Sequence, residues 1–170
     1  MSPSIRRVQT LDPGTRQGLA DLLRDAVDGG ASVSFMAPLA PGRALAFWAG
    51  IGEAVARGER ALLVAEDAQG VCGTVQLVLD QPENQPHRAD LSKLLVHRRA
   101  RRQGLGEALM RATEPLARAC GKDLLVLDTA TDSAMRLYER LGWIRCGEIP
   151  GYALEPRGAR CATVLYYRSL

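Results

Sequence analysis

The chain has 170 residues, 46% of them apolar and 24% charged, with 17 Gly and 9 Pro. That length suits one compact domain, and the apolar content excludes a disordered chain. The net charge of +3 is too small to require a polyanionic partner, and Gly and Leu show no sustained collagen-like or coiled-coil period.

No stretch approaches the ~20 apolar residues of a membrane helix. The start, Met1 to Arg7, lacks the apolar centre of a secretory signal. Cys72, Cys120, Cys146 and Cys161 form no C-x-x-C pair, and His87 and His97 do not supply zinc-ligand spacing. Free thiols in a reducing cytoplasm, without metal or membrane, are the expectation. Only two of the 22 basic residues, Lys93 and Lys122, are Lys.

Ile5 to Val8 reads as a first strand. Asp12-Pro13 opens a helix whose Leu19, Leu22, Leu23, Ala26 and Val27 recur at helical spacing, and Gly29-Gly30 ends it. After the connector Ala31 to Ala40, Pro41 opens a second helix with Leu45, Trp48, Ile51, Ala54 and Val55 on one stripe, stopped at Gly58. Ala61 to Glu66 and Val71 to Leu79 are strands about a tight turn, and Gln81 to Pro86 is a polar loop. A strand over Arg88 to Val96, a helix over Leu105 to Cys120, and an apolar strand over Leu124 to Asp128 follow. Pro115 predicts a kink near Arg111 to Pro115. A short helix spans Ser133 to Leu141, and strands span Trp143 to Glu148 and Ala162 to Arg168. Between those strands the Pro- and Gly-bearing Ile149 to Ala159 reads as a long loop. These elements make one α/β domain, a mixed sheet covered by helices.

The densest chemical signal is Leu94-Leu95-Val96 followed by the basic turn His97 to Gln103 and then Gly104-Leu105-Gly106. A strand ends, and two glycines open a helix whose first amides and dipole favour a phosphate or pyrophosphate. No G-K-[ST] follows, and the glycines do not fit a dinucleotide fingerprint. Arg101-x-x-Gly104-x-Gly106 instead resembles the acyl-CoA-binding motif of the GNAT N-acetyltransferase superfamily. Ala134 to Trp143 resembles the same superfamily's A-x-x-L-Y-x-x-x-G-[FW] signature, in the right order and one strand downstream. Gly29 to Val33, Arg88 to Leu94, Leu127 to Thr129 and Gly147 to Tyr152 further resemble the tabtoxin resistance acetyltransferases, which act on an amino-acid-like toxin.

The resemblance implies one GNAT-type α/β (α+β) domain over residues 1–170, with a mixed, mostly antiparallel sheet of about six to seven strands and about four helices. It implies acetyl-CoA as co-substrate and a small amine as acceptor, with antibiotic or toxin resistance as a role. Leu94, Leu95, Val96, Arg101, Arg102, Gln103, Gly104, Leu105, Gly106, Glu107, Thr131 and Tyr138 are the implied cofactor-binding residues. Backbone amides from Arg102 to Glu107 are expected to meet the pyrophosphate, and Arg99 and Arg101 are candidates for the adenosine phosphates. A strand amide near Leu95 or Val96 is expected to polarise the thioester carbonyl. Thr131 stands where many members have Asn, and it offers one hydrogen bond where the amide offers two.

Tyr138 matches the family's general acid. Its phenol, with a reference pKa of ~10, can protonate a thiolate whose thiol lies near ~8.5. Spacing with Leu137 and Leu141 equally suits a core tyrosine. Alternation along the strand puts Asp90, Ser92, Leu94 and Val96 on one face. Asp90 and Asp128 are candidates for general base or for holding the acceptor's ammonium, and equally for capping or ion pairing. Since a carboxylate near ~4 is a poor base for an ammonium near ~10, deprotonation is expected through water or coupled to attack. Gly29, Gly30, Ser32 and Phe35 are candidates for the acceptor wall. A nucleic-acid module, a non-catalytic acetyl-CoA sensor and a protein or peptide acetyltransferase are the alternatives; the quaternary state is monomer or homodimer.

Overall fold

The computed structural model describes residues 3–170; Met1 and Ser2, part of the start read for a leader, lie outside the described residues. Asp12 starts the first helix by accepting hydrogen bonds from the Thr15 amide at 2.9 Å and the Thr15 hydroxyl at 2.6 Å. With Pro13 at the first turn this fixes α1, Pro13–Asp28. Arg6, on the first strand β1 (Ser4–Val8), reaches both Thr15 and Glu66, so that strand, the cap and the second strand are tied together. A second proline-led helix, α2 (Pro41–Ala56), packs on α1 through Trp48, Ile51 and Ala44.

The remaining elements are β2 (Arg60–Asp67), β3 (Gly70–Val78), β4 (Arg88–Val96), α3 (Leu105–Ala119), β5 (Leu124–Thr129), α4 (Asp132–Arg140), β6 (Ile144–Leu154) and β7 (Arg160–Ser169). They form one seven-stranded sheet in the order β1-β2-β3-β4-β5-β7-β6, antiparallel except at β4–β5. Successive side chains of β2 alternate between two cores. Leu62 and Val64 join α1 and α2, whereas Ala61, Leu63 and Ala65 join α3 and α4. A strand buried on both faces reads as a continuous apolar run, which is what residues 61–65 show. The single mixed α/β domain expected from the motifs is the one observed.

Three expectations need revision or detail. Residues 149–159 are not one loop: β6 continues to Leu154 and β7 begins at Arg160. The register against β7 shifts once between Arg145 and Gly147, and pairing breaks between Ile149 and Ala153 before it resumes at Ala153↔Cys161 and Leu154↔Arg160. Pro150 and Gly151 occupy that irregularity in a strand at the sheet edge, where proline and glycine are tolerated. Helix α3 runs without interruption through Pro115.

The third concerns β4. Its register against β3 shifts between Thr74 and Gln76, and Lys93, inside the shift, has φ +54. One residue too many in a strand inverts the alternation beyond it. Leu94 and Val96 therefore join the α3/α4 core while Leu95 joins the α1/α2 core. Ala89 and Leu91, ahead of the shift, also face α3/α4, so Asp90 and Ser92 lie on the opposite face from Leu94 and Val96. The shared face expected from simple alternation is broken by the bulge.

Candidate active site

Strands β4 and β5 pair only over Arg88–Asp90 and Leu124–Val126. Beyond those residues they part, and the gap opens into a cleft of about 980 Å³. Its walls include β4 from Leu91 to Val96, β5 from Leu127 to Thr129, the start of α3, and α4.

One end is built from backbone. Gly104 caps α3 with φ +77, a conformation open to glycine at little cost, and Arg102 beside it has φ +60. The first intrahelical bond is Ala108 N to Gly104 O at 3.0 Å. The amides of Leu105, Gly106 and Glu107 thus have no helical partner and stand at the positive end of the helix dipole. A Cβ at Gly106 would lie 3.4 Å from Leu137 Cδ2, an ordinary contact distance, so this position sits directly against α4. Glu107, at the third helical position, is drawn aside by Arg111 at 2.9 Å and Arg140 at 3.4 Å. Those guanidiniums hold its carboxyl below the ordinary range, the Arg111 hydrogen bond being the main cause.

Tyr138 is set by the end of α4. Gly142 N donates to Glu139 O and Trp143 N to Tyr138 O, both at 3.0 Å, with Gly142 at φ +80. That stop folds Trp143 back until its ring lies 6.0 Å from that of Tyr138, with Tyr166 at 5.9 Å. Tyr138 lines the cleft, is 5% exposed, and its hydroxyl makes no hydrogen bond among the described residues. Burial, followed by the nearby Asp128 charge, pushes its phenol well above the usual tyrosine value, so the proton stays on.

The other end is built from side chains. Asp128 accepts from the Thr163 hydroxyl at 2.7 Å. Ser32 donates to Leu154 O at 3.1 Å, and Ala37 N donates to Pro156 O at 3.0 Å. The α1–α2 connector is thereby laced to the β6–β7 hairpin over this end. Phe35 packs edge-on against Phe47 at 5.2 Å.

Among the expected site residues, Leu94, Leu95, Val96, Arg101, Arg102, Gly104, Leu105, Gly106, Glu107, Thr131, Tyr138 and Asp128 all line this cleft. Gly29, Gly30, Ser32 and Phe35 do so too. Thr131 uses its hydroxyl to cap α4, accepting from Ala134 N at 3.4 Å. Gln103, Asp90 and Arg99 fall outside. Gln103 donates to Arg99 O at 3.2 Å. Asp90 is held by Arg88 and by Gln81, the latter at 3.1 Å. Arg99 is engaged by Asp67 and by the Gly70 and Val71 carbonyls at 3.3 Å, which takes it away from any phosphate role.

The sequence reading missed Lys93, Ser34 and Thr163, which also line the cleft. One signal was available: Lys93 is a rare Lys in an arginine-rich chain, late in an apolar strand. Ser34 and Thr163 carried none.

The model of the Acetyltransferase (GNAT) family matches residues 33–143. The chain belongs to the GNAT acetyltransferase family. An uncharacterized N-acetyltransferase of the hisH-hisA intergenic region of Azospirillum brasilense is 34% identical over 127 residues, 74% of each chain. Human N-acetyltransferase 8 is 39% identical over 88 residues, half of this chain but 39% of that protein's length. Among solved structures, the acetyltransferase yncA of Salmonella typhimurium with acetyl-CoA superposes with a TM-score of 0.81 at 20% identity, covering 100% of this chain and 95% of that one. A phosphinothricin acetyltransferase of Sinorhizobium meliloti with AcCoA gives a TM-score of 0.80 at 18% identity, covering 100% and 89%. The GNAT fold expected from the two motifs is thus the observed one. Among the described residues no helix is long and apolar enough to cross a membrane.

Proposed function

We propose that this GNAT protein transfers an acetyl group from acetyl-CoA to the primary amine of a small amino-acid-like acceptor. A toxin of the tabtoxinine-β-lactam kind is the narrower form of this reading. The observation that carries it is the two-ended cleft: free amides and αL Gly104 at one end, and at the other Asp128, open to the same cleft that the laced connector and hairpin line.

The residues fit the co-substrate. The amides of Leu105, Gly106 and Glu107 would hold the pyrophosphate, with Arg101 and Arg102 beside them. Acetyl-CoA supplies the activated thioester. In the gap between β4 and β5, a backbone amide near Leu95 or Val96 is the candidate donor to the thioester oxygen. The amine nitrogen forms a bond to the acetyl carbon as the C–S bond breaks. Its proton passes to Asp128, directly or through water, and the Tyr138 phenol returns a proton to the departing sulfur. Burial raises the Tyr138 phenol, but the same burial raises the thiol, so the transfer is not penalised by the phenol alone. The cover over the Asp128 end favours a small acceptor over a peptide, which needs an open groove.

Thiol release from acetyl-CoA, measured across amino acids, β-lactam amino acids, polyamines, aminoglycosides and short peptides, tests this reading. Turnover with the amino acids is expected. Turnover with peptides alone would replace it by protein acetylation, and acetyl-CoA binding without turnover by any amine would replace it by a sensor.

A further inference from the structure

Lys93 is the charged residue at the covered end for which the transfer chemistry has no use. It lies at the β4 bulge, and its positive φ of +54 is one that non-glycine residues rarely hold. Its ammonium donates to Ser34 Oγ at 3.1 Å and lies 5.9 Å from the Phe47 ring centroid. Ser34 in turn has φ +78, so two adjoining cleft residues from distant segments both adopt left-handed backbone to meet.

Neither charge at this end is neutralised by the other. Burial, and after it the Arg60 charge, lower the Lys93 ammonium below the ordinary lysine value, and the Asp128 charge opposes them only in part. Yet Lys93 forms no ion pair among the described residues, and Asp128 takes its hydrogen bond from Thr163. Arg60 is occupied with Gln76 Oε1 at 2.6 Å. An ammonium has three donors, and only one of them, toward Ser34, is used here. Lys93 is half-buried while Ser34 and Asp128 are exposed to the cleft, and neither charge is paired across it, so both are open to a ligand. The covered end thus presents a negative and a positive group to a ligand that brings the complements of both.

We propose that Lys93 and Ser34 form a carboxylate subsite, so that the acceptor is an amino acid whose amine lies at Asp128 and whose carboxylate is held by Lys93. This rests on the acetyl-transfer reading and narrows its substrate class. A polyamine or aminoglycoside, with a second cation, meets Lys93 as a repulsion, so the same residue selects against them.

The test compares each amino acid with its own C-terminal amide, which removes the negative charge; since amidation also lowers the pKa of the amine, kcat/KM is taken per neutral amine at the assay pH. In the native enzyme kcat/KM for the acid is expected to exceed that for the amide by about 10- to 100-fold, the range of a hydrogen bond to a charged group. Lys93→Gln is expected to bring that ratio near one, and Lys93→Arg to recover part of it. An acid-to-amide ratio near one in the native enzyme overturns the proposal without any variant. So does a Lys93→Gln enzyme that is folded, as judged by thermal unfolding, and keeps the native ratio. Calorimetric titration of amino acids into the enzyme–CoA complex separates the two readings. Binding that depends on the carboxylate and on Lys93, without acetyl transfer, sinks the transfer reading and keeps the subsite. Transfer indifferent to the carboxylate does the reverse, and absence of both binding and transfer overturns the subsite.

Discussion

The two ends of the cleft are made of different material. At the start of α3 the site is backbone: three amides left over by a helix terminus, and a glycine at φ +77 that lets the chain turn into it. At the covered end it is side chains, drawn from the α1–α2 connector, the β4 bulge, β5 and β7. The backbone end comes from one contiguous stretch and suits a ligand group shared by a whole family. The side-chain end is assembled from four segments far apart in the chain, and its composition is set by residues that no single motif joins.

Tyr138 lies between the ends, and the largest effect is expected there. Tyr138→Phe is expected to lower kcat by about 100-fold or more, within the usual range for a proton-transfer group. Acetyl-CoA affinity, measured by titration, should change little, because the ring and its packing on Trp143 remain.

The covered end can be broken alone. Asp128→Asn is expected to lower kcat/KM for the amine by about 10- to 100-fold while acetyl-CoA binding is kept. Asp90→Asn makes the contrast. Its carboxylate is spent on Arg88 and Gln81 outside the cleft, so turnover should stay within about twofold of native. A larger loss at Asp90 than at Asp128 would reverse the assignment of the base.

The backbone end responds more gently. Gly104→Ala forces a Cβ into a left-handed conformation at a cost of about 1 kcal/mol. Acetyl-CoA should bind about fivefold more weakly, with kcat nearly unchanged.

The smallest expected effect concerns the tie between the two regions. Asp25, at the end of α1, has a side chain only 8% exposed and pairs with Arg98 at 2.7 Å, in the turn leading to α3. Burial alone would raise its carboxyl. The Arg98 amide and guanidinium and the nearby His97 outweigh that and hold it below the ordinary aspartate value. A carboxyl lowered on folding adds stability that is present above the unfolded value near ~4 and is lost as pH falls through the folded value. Asp25→Asn should therefore flatten the acid side of the thermal-stability profile below about pH 4 and leave the neutral region nearly parallel to native.

Much of the fold was legible because its signals are local. Asp12-Pro13 and Pro41 signal helix starts, and the apolar run from Ala61 beside a tight turn reads as a strand, which the fold buries on both faces. What failed was parity and pairing. Alternation placed Asp90 with Leu94, and the bulge at Lys93 undid it. Pro150 and Gly151 argued for a loop, but at a sheet edge they interrupt pairing without ending the strand.

By itself the sequence determined the family, the mixed α/β domain, the glycine-capped helix start and the tyrosine helix downstream of it. The elements and motifs behind these are each local, where propensity and spacing are decisive, and their order along the chain supplies the rest. Only the tertiary structure decided which charges meet. It withdrew Asp90 and Arg99 into ion pairs, left Asp128 in the cleft, and brought Lys93 to Ser34 across 59 positions of chain. The reason is physical: a side chain's partners depend on which strands pair, where a bulge reverses a face and which loop is laced above it. None of these is carried by the residues at the site alone.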